Sequence, residues 1–236
     1  MGTRRRRRKS KSAAVYVPVG ALLIVIITVL GMSVFLRIME IEVVGATVYT
    51  VDEIILASGI ATGDNLLFLD IDGAVQSIRS AKPYISDVII ESAPPDTLRI
   101  IVSESFAVAK ISHRDSVLLI DSSGRVLERV DSAPLGLIDV RGFTPSEAEV
   151  GSRLRALPDS ETRLGSMLDI IAAFERAEIT DGVSYLDVSN IGYITFGYGG
   201  RFRVILGSAS NLNHKLTQLT TLFVPGIVSI PPKNAF

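Results

Sequence analysis

The chain opens its folded part with an unbroken apolar run. From Ala13 to Leu36 there are 24 consecutive residues without a charge, mostly Val, Ile and Leu. As a helix the run would be about 36 Å long, against a hydrocarbon core of about 30 Å, which predicts one bilayer crossing with some tilt. Its β-branched composition would suit strands in water, but strands are rarely longer than about ten residues. In lipid a lone segment must satisfy its own backbone, and only a helix does so.

After the run the rhythm changes to period two. Met39 to Val43 alternate, with Ile41 and Val43 on one face, and Gly45 stops the strand. Thr50 and Glu53 form a capping box, Val51, Ile54 and Ile55 recur at helical spacing, and Gly59 is placed to cap the C-terminus. Asp70 is positioned to start a second helix with Ile71, Ala74, Val75 and Ile78 on its apolar stripe, ended by Pro83. Two strands follow, Ser86 to Ser92 and Leu98 to Glu104, joined by the turn APPDT. Strand, helix, helix, strand, strand predicts a small sheet covered on one face by both helices.

Beyond Glu104 the pattern becomes short strands between turns: Val108 to Ser112, Val117 to Asp121 and Arg125 to Glu128, the last two joined by SSG. Asp139 to Pro158 is polar and reads as a long connection. Glu161 to Ala177 then has Leu164, Met167, Leu168, Ile171 and Phe174 on one helical face, with Asp159 or Ser160 available as cap. Three further strands are expected at Val183 to Val188, Tyr193 to Phe196 and Phe202 to Leu206, the last two around Gly199 and Gly200. Asn211 to Phe223 reads as a second amphipathic helix, with Leu212, Leu216, Leu219 and Phe223 inward. A final strand is expected at Ile227 to Ile230, broken by Pro231 and Pro232. The fold class is α+β: one transmembrane helix, a β-α-α-β-β domain, and a mixed β-rich domain with two amphipathic helices.

Charge gives the chain a direction. Arg4, Arg5, Arg6, Arg7, Arg8, Lys9 and Lys11 precede the apolar run, and this basic flank places the amino terminus in the cytoplasm with the bulk outside. A cleavable signal peptide would have a shorter apolar core, about 7 to 15 residues, and an A-x-A-like site; the run meets neither condition. Without those seven cations the chain holds 17 Lys and Arg against 25 Asp and Glu. An acidic exterior argues against nucleic acid as a partner. There is no cysteine, which excludes disulfides, thiolate metal sites and a cysteine nucleophile.

Several segments resemble the FtsQ/DivIB group of cell-division proteins. IEVVGATVYTVDEIILASGIATGDNLLFLD and KPYISDVIIESAPPDTLRIIVSE are similar to that group's POTRA domain, and LLIDSSGRVLE, LDVSN and RFRVILGSASNLNHKLTQL to its β-rich domain. The resemblance covers nearly the whole chain. It implies residues 1–12 as a basic cytoplasmic tail, 13–36 as the membrane anchor, 38–105 as a POTRA-like domain, 106–230 as the β-rich domain and 231–236 as a C-terminal tail. It further implies a non-enzymatic divisome component in the cell membrane, expected at the division septum. Such a protein binds FtsB/DivIC-like and FtsL-like bitopic proteins outside the cytoplasm and helps regulate septal peptidoglycan synthesis. The family's contact strand follows the last helix, which carries the partner-binding role onto Ile227, Val228, Ser229 and Ile230.

Enzymatic readings rest on weaker patterns. His113 and His214 are the two histidines, too few for an ordinary metal site. A Ser-Lys dyad would draw on Lys82, Lys110, Lys215 or Lys233, and paired acids stand at Asp70 with Asp72, Glu147 with Glu149, and Asp52 with Glu53. Capping and solvated turns account for these acids, so no catalytic, cofactor-binding or metal-ligating residue is assigned and no small-molecule substrate is expected. Tyr193, Phe196, Tyr198 and Phe202 beside Arg201 and Arg203 form a possible contact patch. The alternatives to the scaffold are an anchored extracytoplasmic hydrolase and a POTRA-bearing transport component.

Overall fold

The computed structural model describes residues 13–66, 68–93 and 96–222. The basic residues Arg4 to Lys11 and the strand expected at Ile227 to Ile230 lie outside them. The chain divides into two compact units, Met1–Ser77 with Val88–Val102 and Ile78–Asp87 with Ser103–Phe236.

Helix α1 spans Ala13–Phe35, 23 residues without an acidic or basic side chain. Within it the side chains described are those of Tyr16, residues 18–28 and Gly31, and among the described residues no helix is long and apolar enough to cross a membrane. The crossing expected of this segment is therefore not carried by the described side chains alone. Leu22 to Ile27 are six successive apolar residues, each 48 to 66% exposed. Six residues turn through more than a full helical circuit, so over Leu22 to Ile27 α1 is apolar and exposed on every side.

The three-stranded sheet and its helices have the expected element order. Strand β1 (Glu40–Val44), α2 (Val51–Ser58), α3 (Ile71–Ala81), β2 (Ile85–Ala93) and β3 (Thr97–Glu104) form a sheet in the order β1-β3-β2. Strand β1 runs parallel to β3, with Ile41 opposite Leu98 and Val43 opposite Ile100. Gly45 then turns the chain at φ 90°, and a Cβ there would lie 2.1 Å from the Val102 carbonyl oxygen, so only glycine fits.

Both helices start as their side chains dictate. The Thr50 N–H donates to Glu53 Oε2 at 2.9 Å and the Glu53 N–H to Thr50 Oγ1 at 3.3 Å; Gly59 closes α2 in the left-handed region. Asp70 Oδ1 accepts the Gly73 N–H at 2.9 Å at the start of α3. Leu98, Ile100 and Val102 on alternate positions of β3 are all buried.

The second unit is a seven-stranded sheet. Its strands are β4 (Ala109–His113), β5 (Ser116–Ile120), β6 (Val126–Val130), β7 (Ile138–Arg141), β8 (Val183–Asp187), β9 (Ile194–Tyr198) and β10 (Phe202–Gly207), in the order β10-β9-β8-β7-β4-β5-β6. The segment expected to be one long connection from Asp139 thus begins with β7, the central strand, parallel to both β4 and β8. Its four residues are too few to show a period, and its place comes from pairing on both sides.

Helix α4 (Glu161–Arg176) carries the crossover from β7 to β8, and α5 (Leu212–Leu222) follows β10. Met167, Ile170, Ile171, Ala173 and Phe174 of α4 are buried with Leu216 and Leu219 of α5 over Ile111, Leu118, Val140, Leu186 and Phe196. Rings of Phe174 and Phe196 meet at 4.8 Å with a 56° tilt. Leu164 and Leu168, expected inward, sit at the margin of this core. Ser160 occupies the cap position of α4 but makes no capping bond.

Candidate partner-binding edge

A sheet exposes unpaired backbone groups only at its two outer strands, and here the two are built differently. Strand β6 is shut. The Val126 N–H donates to the Ser152 oxygen at 2.9 Å, the Gly151 N–H to the Val126 oxygen at 2.8 Å, and the Leu154 N–H to the Gly124 oxygen at 2.9 Å. Arg125 and Arg153 form an antiparallel bridge, and an Arg129 Nη donates to the Ala148 oxygen at 2.7 Å. The polar segment after β7 is therefore a strap over the β6 edge.

Strand β10 is the outermost strand on the other side among the described residues. Gly199 and Gly200, at φ 60° and 71°, make the tight turn that returns the chain from β9. The register is Phe202 opposite Tyr198, Val204 opposite Phe196 and Ile205 opposite Thr195, with a bulge between Ile205 and Gly207. Past the bulge, the Lys215 ammonium donates to the carbonyl oxygens of Leu206 at 3.0 Å and Ser208 at 2.9 Å. That closes the strand's end and fixes α5 beside it, so the accessible length is Phe202 to Ile205.

The aromatic patch expected around this edge divides in two. Phe196 is fully buried and Tyr198 nearly so, the latter with its hydroxyl pKa raised by burial. Tyr193 and Phe202 remain exposed, and the Arg201 guanidinium stands 5.7 Å from the Phe202 ring. On one face of the sheet, register brings Asp187 opposite both Arg141 and Thr195. Hydrogen bonds from Ser189, and then the charges of Arg141 and Arg203, hold the Asp187 carboxyl below its ordinary pKa. The Arg141 guanidinium lies 4.5 Å over the Tyr185 ring.

Four of the residues weighed for catalysis have structural work, and Lys233 lies outside the described residues. Asp70 and Glu53 cap helices as described, Glu147 pairs with Arg155 at 3.2 Å, and Lys215 is engaged by backbone oxygens. His214 is exposed on α5, 3.2 Å from Gln218 Nε2. His113 is the buried last residue of β4. Among the described residues no cluster of three or more His, Cys, Asp or Glu is placed to hold a metal.

Comparison with known proteins gives this architecture relatives. Residues 36–105 match the POTRA domain, FtsQ-type. The cell division protein FtsQ of Corynebacterium glutamicum is 25% identical over 205 residues, covering 84% of this chain and 86% of that protein. Over most of its length the chain is similar to the FtsQ/DivIB family of cell-division proteins. Cell division protein DivIB of Clostridium botulinum (strain Hall) is 27% identical over 183 residues, 77% of this chain and 70% of that protein. DivIB of Clostridium acetobutylicum is 26% identical over 191 residues, with 80% and 74% covered. These matches run well past the POTRA region, so the resemblance to FtsQ and DivIB takes in the β-rich unit as well.

The partner-binding residues expected from the sequence, Ile227, Val228, Ser229 and Ile230, lie outside the described residues. What sequence reasoning missed is the asymmetry of the sheet, one end strapped and the other ending on β10. The only sign of it in the sequence is negative: a 20-residue polar segment too long for a simple turn.

Proposed function

We propose that the chain is a non-enzymatic divisome scaffold, fixed in the cell membrane by α1 with its amino terminus cytoplasmic. Its two folded units then work outside the cytoplasm at the division septum. There the β-rich unit binds FtsB/DivIC-like and FtsL-like single-pass proteins and helps regulate septal peptidoglycan synthesis. The observation carrying this reading is the length of the likeness to FtsQ and DivIB cell-division proteins, which spans most of the chain and of its relatives.

Two features support the parts. Helix α1 is uncharged and over Leu22 to Ile27 exposes apolar side chains all round, a surface that lipid covers at no cost and water does not. In the sheet, the strap covers the start of β6 while β10 is the outermost described strand on the other side, which favours strand addition at the β10 end. The expected mode is β-augmentation, the partner's strand extending the sheet there. Replacing Val228 by Lys or Pro is expected to abolish copurification of the partners from detergent extracts while leaving the thermal melt unchanged. Undiminished copurification would reject this edge. The anchored-hydrolase reading has no observation in its favour, and the relatives' names favour division over transport.

A further inference from the structure

We propose that Phe68, beside residues 63–66 of the first unit, is a lipid-contact residue, set into the headgroup region of the membrane's outer leaflet beside the end of α1. The proposal rests on α1 being the membrane anchor and goes beyond it, because an anchor on a free tether would leave the folded unit no fixed orientation.

Here there is no free tether. Only one residue past the end of α1, the Leu66 N–H donates to the Leu36 oxygen at 2.9 Å. Arg37 and Asn65 form an antiparallel bridge, the Ile38 N–H donates to the Asp64 oxygen at 2.9 Å, and the Gly63 N–H to the Ile38 oxygen at 2.7 Å. Ile38 is itself fully buried in the unit's core. The chain leaving α1 is thus a short strand built into the fold, and its partner is the segment 63–66.

The Phe68 N–H donates to the Asn65 oxygen at 3.0 Å, which closes a turn and holds Phe68 beside the bridge. Bridged residues lie about 5 Å apart and the ends of such a turn less than about 7 Å, so Phe68 stands within about 12 Å of Arg37. The headgroup region is about 5 to 8 Å deep on each side. Phe68 is 74% exposed and Met39 70%, two large apolar side chains next to the point where the helix ends. Arg37 is exposed between them, where lipid phosphate would meet it. The neighbouring acids are turned to backbone: Asp64 Oδ2 accepts the Ala61 N–H and Asp70 Oδ1 the Gly73 N–H, both at 2.9 Å. The two large apolar side chains and Arg37 are the parts of this surface that suit a lipid interface, whereas Glu40, Asp64 and Asp70 are exposed carboxylates and belong on its water-facing side.

The chain contains no tryptophan, so one substitution makes a unique fluorophore. Full-length F68W and, separately, L23W are reconstituted in phosphatidylcholine and phosphatidylglycerol vesicles, with lipids brominated high or low on the acyl chain. The proposal expects F68W to emit in the blue, to be quenched by the high-brominated lipid, and to be shielded severalfold from acrylamide, while L23W is quenched by the low-brominated lipid. L23W quenched with F68W emitting in the red and open to acrylamide would overturn the lipid seat alone. L23W escaping both brominated lipids would overturn the anchor, and the seat with it.

Discussion

The carboxylate of Asp121 holds the β5–β6 turn together. It is buried, and its Oδ1 accepts the Ser123 N–H at 2.9 Å, the Ser123 hydroxyl at 2.8 Å and the Arg125 N–H at 2.9 Å. Asp121→Ala strands these donors in a closed turn and is expected to cost about 1–3 kcal/mol in urea unfolding, with Asp121→Asn milder. The sequence shows the turn in DSSG but not that one oxygen serves it all. His113 is less legible, since nothing in the sequence marks it as buried. Burial, and then Arg114 and Arg129, lower its pKa, and its Nδ1 has no hydrogen-bond partner. The folded state therefore resists protonating it, whereas the unfolded chain takes up the proton near pH 6.5. Its contribution to stability is fully present above that pH and is lost as pH falls from there toward the lowered folded value. Thermal melts from pH 8 to 5 are expected to show a fall in melting temperature that His113→Gln flattens; an equal fall in the variant would contradict this.

At the scale of elements, what is written locally was legible. The Thr50–Glu53 box, the Asp70 cap, the Gly59 stop and the Gly199–Gly200 turn each depend on residues a few positions apart, and each forms as read. The apolar stripe of α4 likewise finds the core, although Ile170 and Ala173 are buried where Leu164 and Leu168 were expected to be. Elements defined by distant partners were not legible. Strand β7 exists because β4 and β8 flank it, and the strap on β6 exists because residues 151–154 return to a strand about 25 positions earlier in the chain. The sheet depends on α4 through the Phe174–Phe196 contact. Phe174→Ala is expected to cost about 3–5 kcal/mol in denaturant unfolding, because it leaves a cavity in the buried core against Phe196 of β9. A loss below about 1 kcal/mol would mean that the helix does not seal that face.

For the whole molecule, charge and apolar surface are segregated along the chain. Seven cations stand before α1, and beyond it acids outnumber bases by 25 to 17. A single crossing with positive residues inside accounts for both halves. The surfaces proposed above are the segment bridged to Arg37 in the first unit and the outer strand β10 of the sheet in the second. The proposed reading, a membrane-held body that gathers other chains at one sheet edge, accords with its similarity to cell-division proteins. The most direct measurement is the position in growing cells of a functional fluorescent fusion to the full chain. The account predicts a band at midcell that appears before constriction, whereas an even signal around the whole envelope through the cell cycle would contradict it.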